Sequence, residues 1–211
     1  LKVTAASRIG DVTKTLQVTV VDASCSVPGS QCPLDVTTSL GLDGVGTAGA
    51  ATTGGFDGGG WSFPADQVPA PGIQVVGAGA FRIPDTTGKA PNFVVPLAPT
   101  TVPAAGTFSG LTLLASARNG DAAAVPVTLH YADGDVATTV SVSDWAAGSP
   151  RFGESDLVRT SGRVGGASGT DGLAVHLWGL SVPTDPGRAL QSVTFGASDR
   201  LAVMAITGRR A

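Results

Sequence analysis

Residues 111–145 read LTLLASARNGDAAAVPVTLHYADGDVATTVSVSDW, and this stretch decides the fold. An apolar run over 111–115 ends in Arg118-Asn119-Gly120-Asp121, which is turn chemistry. From Val125 the residues alternate, placing Val127, Leu129 and Tyr131 on one face and Thr128 and His130 on the other. Asp133-Gly134 marks a hairpin, because Gly accepts the positive φ of a tight turn. The return strand sets Val136, Thr138, Val140 and Val142 on one face and ends at Trp145. Three antiparallel strands with one apolar face need a second layer to cover that face. The expected fold is therefore all-β, an antiparallel sandwich.

Composition agrees. Thirty Gly and fourteen Pro in 211 residues favour many short strands and turns, and no segment has helical periodicity. Only 14% of residues are charged and the formal net charge is −3, with no basic stripe, so no nucleic-acid partner is expected. No apolar run approaches the ~20 residues of a membrane helix, so no membrane insertion is expected.

At the start of the chain, residues 1–6 and 13–21 alternate around a Gly10-Asp11 turn. Such a hairpin is marginal alone. Residues 1–24 are read as the closing hairpin of an upstream immunoglobulin-like module in preference to added edge strands of the main sandwich, which spans 25–211. The chain, starting at Leu1 without Met, is expected to be a piece of a longer protein. Cys25 and Cys32 bracket a Pro28-Gly29 turn, and a disulfide between them would stabilise by roughly 2–3 kcal/mol. That bond implies an oxidising compartment and a secreted, extracellular protein; the alternative is two thiols without a role.

Residues 36–60 are rich in Gly, Ala and Thr and too irregular for a regular element. Asp43 and Asp57, each followed by Gly, suit a structural calcium ion, which takes carboxylate and carbonyl oxygens. The competing reading makes both of them turn residues. No Lys-Ser/Thr follows the glycines, so this is not a phosphate loop. Catalytic signals are weak: the fifteen Asp single out no pair, Glu154 has no visible partner, and no G-x-S-x-G elbow occurs. His130 and His176 read as ordinary strand positions.

The ordered pieces GGFDGGGWSFPAD, FRIPD, LTLLASARNGD, VTLHYADGD and VSVSDW, spread over residues 40–208, resemble a β-sandwich appended to secreted actinobacterial glycoside hydrolases. Exo-α-mannosidases and α-L-fucosidases carry such tails, often behind a small immunoglobulin-like module. The segment 68–80 is shorter than in that family, and Ile83 stands where the family often has Trp. The resemblance implies a galactose-binding-like jelly roll and a non-catalytic ancillary role in a glycoside hydrolase.

A carbohydrate-binding module would use aromatic faces and planar polar groups, and Trp61, Arg118, Asn119, Asp144, Trp145 and Arg163 are its candidates. Its partner would be a glycan. The alternatives are a structural module that packs on, or spaces, the catalytic domain of the same parent chain, and the tail of a secreted enzyme of another class. Trp145, at a strand end, also suits a core position.

Overall fold

The computed structural model describes residues 25–49, 54–87, 89–165 and 169–211, together with the backbone of two N-terminal strands. Those are β1 (Lys2–Ala5) and β2 (Lys14–Gln17), an antiparallel pair with Lys2 opposite Gln17. There follow β3 (Gln31–Pro33), β4 (Val45–Gly46), β5 (Trp61–Pro64), β6 (Gly72–Val76), β7 (Gly79–Ile83) and β8 (Thr100–Gly106). The long central strands are β9 (Phe108–Ala117), β10 (Ala122–Tyr131) and β11 (Gly134–Val142). The rest are β12 (Ser155–Arg159), β13 (Arg163–Gly165), β14 (Gly169–Asp171), β15 (His176–Val182), β16 (Leu190–Phe195) and β17 (Leu201–Arg210). Among the described residues the only helical element is a single 3-10 turn, Thr37–Ser39.

Two antiparallel sheets form the sandwich, one ordered β11-β10-β16-β8 and the other β12-β15-β9-β17-β3. Between them lies a core that includes Val102, Leu113, Val127, Leu129, Val142, Trp178, Leu180, Phe195 and Ile206. Each large apolar side chain buried there contributes roughly 1.5–3 kcal/mol. The stretch 111–145 is divided between the sheets. Strand β9 lies in the five-stranded sheet, whereas β10 and β11 pair in the four-stranded one. The Arg118–Asp121 corner carries the chain across, with Asn119 at φ 58 and Gly120 at φ 103. Backbone bonds from Ala117 to Ser143 (3.0 Å) and from Trp145 to Ala117 (2.8 Å) draw the end of β11 back to that corner. The hairpin tip is Ala132-Asp133, followed by Gly134 at φ 131.

Strand β10 alternates between buried and open positions as its sequence does, because only one of its faces meets the core. Strands β9, β15 and β17 read as near-continuous apolar runs for the opposite reason: their sheet is covered on both faces. Leu114, Leu177, Ala202 and Met204 point away from the inter-sheet core, into a second one with Phe56, Phe63, Phe81, Phe93 and Trp145. A bulge at Met204 shifts the register of β17 against β9, so that Ala202, Met204 and Ala205 serve the second core while Val203 and Ile206 serve the first. The cover comes from the β14-β13-β5-β4 sheet and the β6–β7 hairpin.

Several elements differ from the sequence reading. Strand β8 carries Pro103 within an unmarked stretch; an edge strand tolerates it because the missing N–H has no ladder partner on the open side. Residues 161–171, glycine-rich and without alternation, contain the β13–β14 pair, which joins β5. The polar residues 208–210 extend β17 to Arg210, and Gly208 pairs with Cys32.

No disulfide joins Cys25 and Cys32 in the structure. Cys32 lies in β3 and is packed into the inter-sheet core. The Pro28-Gly29 turn closes through bonds from Ser30 N and Oγ to the Val27 carbonyl (3.2 and 2.6 Å), and Gly29 N donates to the Arg210 carbonyl at 2.9 Å. The turn therefore launches β3 along β17.

Candidate ligand groove

The glycine-rich turn is built from residue types each suited to one position. Phe56 is fully buried and meets Phe63, Phe93 and Trp145 at centroid distances of 4.9, 5.0 and 4.8 Å. Gly55 sits at φ 65, and a Cβ there would come within 2.5 Å of the Trp61 carbonyl oxygen, so no other residue fits. Asp57 Oδ1 accepts hydrogen bonds from Gly59 N (2.7 Å) and Trp61 N (3.1 Å). Its other oxygen faces Arg163 Nη1 at 3.9 Å. The turn is closed on itself by side-chain and backbone bonds.

Arg163 is the hub beside it. Its Nε donates to Asp171 Oδ2 at 3.0 Å. Its guanidinium lies over the Trp61 ring at 4.3 Å and near the Trp145 ring at 5.9 Å. Among the residues singled out from the sequence, Trp61, Arg163, Trp145 and Asp57 are thus brought together. Trp145 is a core side chain, 3% exposed.

Asp144 caps the sheet-crossing corner: its carboxylate accepts from Gly120 N (2.7 Å) and Ala146 N (2.8 Å). Asn119 is exposed at the tip of that corner. Arg118 lies against the glycine turn, where a Cβ on Gly58 would be 3.5 Å from its Nη2, and its buried Nε has no acceptor.

Asp43 is separate from this network and accepts from Asn92 Nδ2 at 3.0 Å; burial raises its pKa, against the lowering effect of the Asn92 and Val45 hydrogen bonds and the Lys89 charge. The calcium expected at Asp43 and Asp57 finds a poor donor set, since N–H groups already point at both carboxylates. Among the described residues no three His, Cys, Asp or Glu side chains gather as a metal site.

On the far side of Arg163 lies an open groove of ≈ 900 Å³. It is formed by three separated segments: Pro64 to Gln67 after β5, Ser161 to Val164 entering β13, and Thr170 to Gly172 leaving β14, with Thr47, Ala48 and Thr87 at its margin. Gln67 Oε1 accepts from both Ser161 N (2.7 Å) and Ser161 Oγ (3.0 Å). A backbone N–H can only donate, so this contact fixes the amide orientation and leaves Nε2 as the outward donor. Of the six carbohydrate candidates named from the sequence, Arg163 alone lines the groove. Asp66, Gln67, Ser161, Thr170 and Asp171 were missed, because isolated polar residues in three distant turns carry no spacing signal.

The remaining titratable groups are built into the scaffold. Glu154, 8% exposed, accepts from Ser143 N and Phe152 N, both at 2.7 Å. Burial raises its pKa, but hydrogen bonds from the Ser143 side chain and from the backbone at Glu154, Ser143 and Phe152 outweigh burial, and the carboxyl is held below its ordinary value. His176 stacks on Trp178 at 4.5 Å and meets Asp156 at 3.0 Å. His130 links Asp135 and Thr194 across the sheet (2.9 and 2.8 Å).

The chain belongs to the AziU2-like beta-sandwich domain family, whose model matches residues 30–210. No curated protein matches it.

Proposed function

With membership of that β-sandwich family as the premise, we propose that the domain is a non-catalytic, saccharide-binding ancillary module of a secreted multidomain glycoside hydrolase. The observation that carries this reading is the groove beside Arg163: open, large enough for one or two sugar rings, and lined by amide, hydroxyl and carboxylate groups from three turns. Such groups match the alternating donors and acceptors of a polyol. The sequence resemblance supplies the secreted setting and the hydrolase parent. Titration of the 211-residue chain with a panel of oligosaccharides tests it. A saccharide should bind, and Gln67→Ala should weaken it by about tenfold, roughly 1.4 kcal/mol. Failure of every saccharide to bind would overturn the reading.

A second reading, a module docked on the parent's catalytic domain, is favoured by strand β6. Among the described strands it pairs only with β7, and it exposes Ile73 (39%) and Val75 (56%) on one face. Ile73→Lys with Val75→Lys should then release the catalytic domain in pull-down while leaving saccharide affinity unchanged.

A further inference from the structure

We infer that the groove selects neutral, hydroxyl-rich saccharides and rejects acidic ones, with Asp66 acting both as hydroxyl acceptor and as the excluding charge. This rests on the saccharide-binding reading above and adds to it the class of ligand.

Among the described residues, three charged ones line the groove: Asp66, Arg163 and Asp171. Two carboxylates against one guanidinium leave a net charge of −1. The guanidinium is also partly engaged by its neighbours. Asp171 engages it at 3.0 Å, Asp57 faces it at 3.9 Å from behind, and the Trp61 ring occupies one of its faces. An incoming carboxylate or sulfate would meet a cation whose charge is already shared with Asp171 at Nε. Asp66 is the opposite case: it is exposed and has no hydrogen-bond or ion-pair partner among the described residues.

Asp66 and Gln67 are consecutive, and both residues line the groove. A carboxylate accepts only, and the Gln67 Nε2 left over from the Ser161 contact donates only. A pair of adjacent hydroxyls satisfies both, one donating to Asp66 and its neighbour accepting from Nε2. Hydrogen bonds to a carboxylate are stronger than neutral ones, so this acceptor carries much of the contact. A uronate or sialate would place like charge beside Asp66, and discrimination by repulsion is the result. Among the described residues no aromatic lines the groove, so recognition rests on these polar groups.

The test compares the affinities of neutral and uronate- or sialate-containing oligosaccharides for the whole chain by calorimetry, at low and at moderate salt. Neutral ligands should bind at least about tenfold more tightly, roughly 1.4 kcal/mol. Acidic ligands should gain affinity as salt screens the repulsion, and neutral ones should be indifferent to it. Asp66→Asn keeps the shape, removes the charge, and should weaken neutral binding several-fold while narrowing the gap to acidic ligands. Acidic ligands binding as tightly as neutral ones, or an Asp66→Asn variant that discriminates as before, would overturn the selectivity and leave saccharide binding standing. If no saccharide of either class binds, the saccharide-binding reading itself falls.

Discussion

Two neighbouring regions treat their polar atoms in opposite ways. In the glycine turn 54–61, Asp57 is consumed by two backbone N–H groups, Phe56 plugs an aromatic core, and Gly55 occupies a space no side chain could enter. In the groove beyond Arg163, Asp66, the Gln67 amide nitrogen and Thr170 face open space. The turn has the conspicuous motif and the groove has none. Glycine, aspartate and aromatics in close succession are what a tight, self-satisfied turn requires. A binding site requires the reverse, polar atoms left unsatisfied by the chain that carries them.

The comparison is broken most sharply at Phe56. Phe56→Ala should cost about 3–5 kcal/mol in urea unfolding, because a fully buried ring leaves a cavity among Phe63, Phe93 and Trp145. A loss under about 1 kcal/mol would show that the turn is not anchored there.

Glu154→Gln comes next, at about 1.5–3 kcal/mol near neutral pH, since an amide offers one acceptor oxygen where two backbone N–H groups need acceptors. The folded carboxyl lies below its ordinary value of 4.5, so its contribution is complete above that pH and fades as pH falls through the lowered value. The gap between the two proteins should therefore shrink on acidification; a gap independent of pH would contradict the assignment.

Asp57→Ala should cost about 1–2 kcal/mol by orphaning the Gly59 and Trp61 amides. Melting curves of chelator-treated protein should not shift on adding calcium, for either the parent or this variant. A calcium-dependent rise lost in Asp57→Ala would restore the cation reading.

The smallest effect belongs to the groove. Thr170→Ala should change stability by less than about 0.5 kcal/mol, because its exposed hydroxyl serves no internal bond among the described residues. Reduced saccharide affinity at unchanged melting temperature would separate groove from scaffold.

Much of the fold was legible because strand patterning is local. The period-two runs at Val125–Tyr131 and Val136–Val142 identified a half-buried pair, and LTLLASA read as a strand beside it. That LTLLASA lies in the other sheet was not legible, since a strand buried on both faces loses its alternation and with it any sign of which sheet it joins. Trp145 illustrates the same limit at the site: an aromatic at a strand end suits a ligand platform or a core, and only its packing on Phe56 and Phe63 decides between them.

Sequence by itself determined that this chain is all-β, that its central hairpin has one buried face, and that the glycine-rich stretch 36–60 is too irregular for a long regular element. Each of these follows from backbone conformation and side-chain polarity over a few neighbouring residues. Tertiary structure alone decided the covering of the five-stranded sheet on both faces, the packing of Cys32 into the inter-sheet core, and the groove. A groove is the space left between segments as far apart as Gln67 and Ser161, and its chemistry depends on which polar atoms the surrounding contacts have already used.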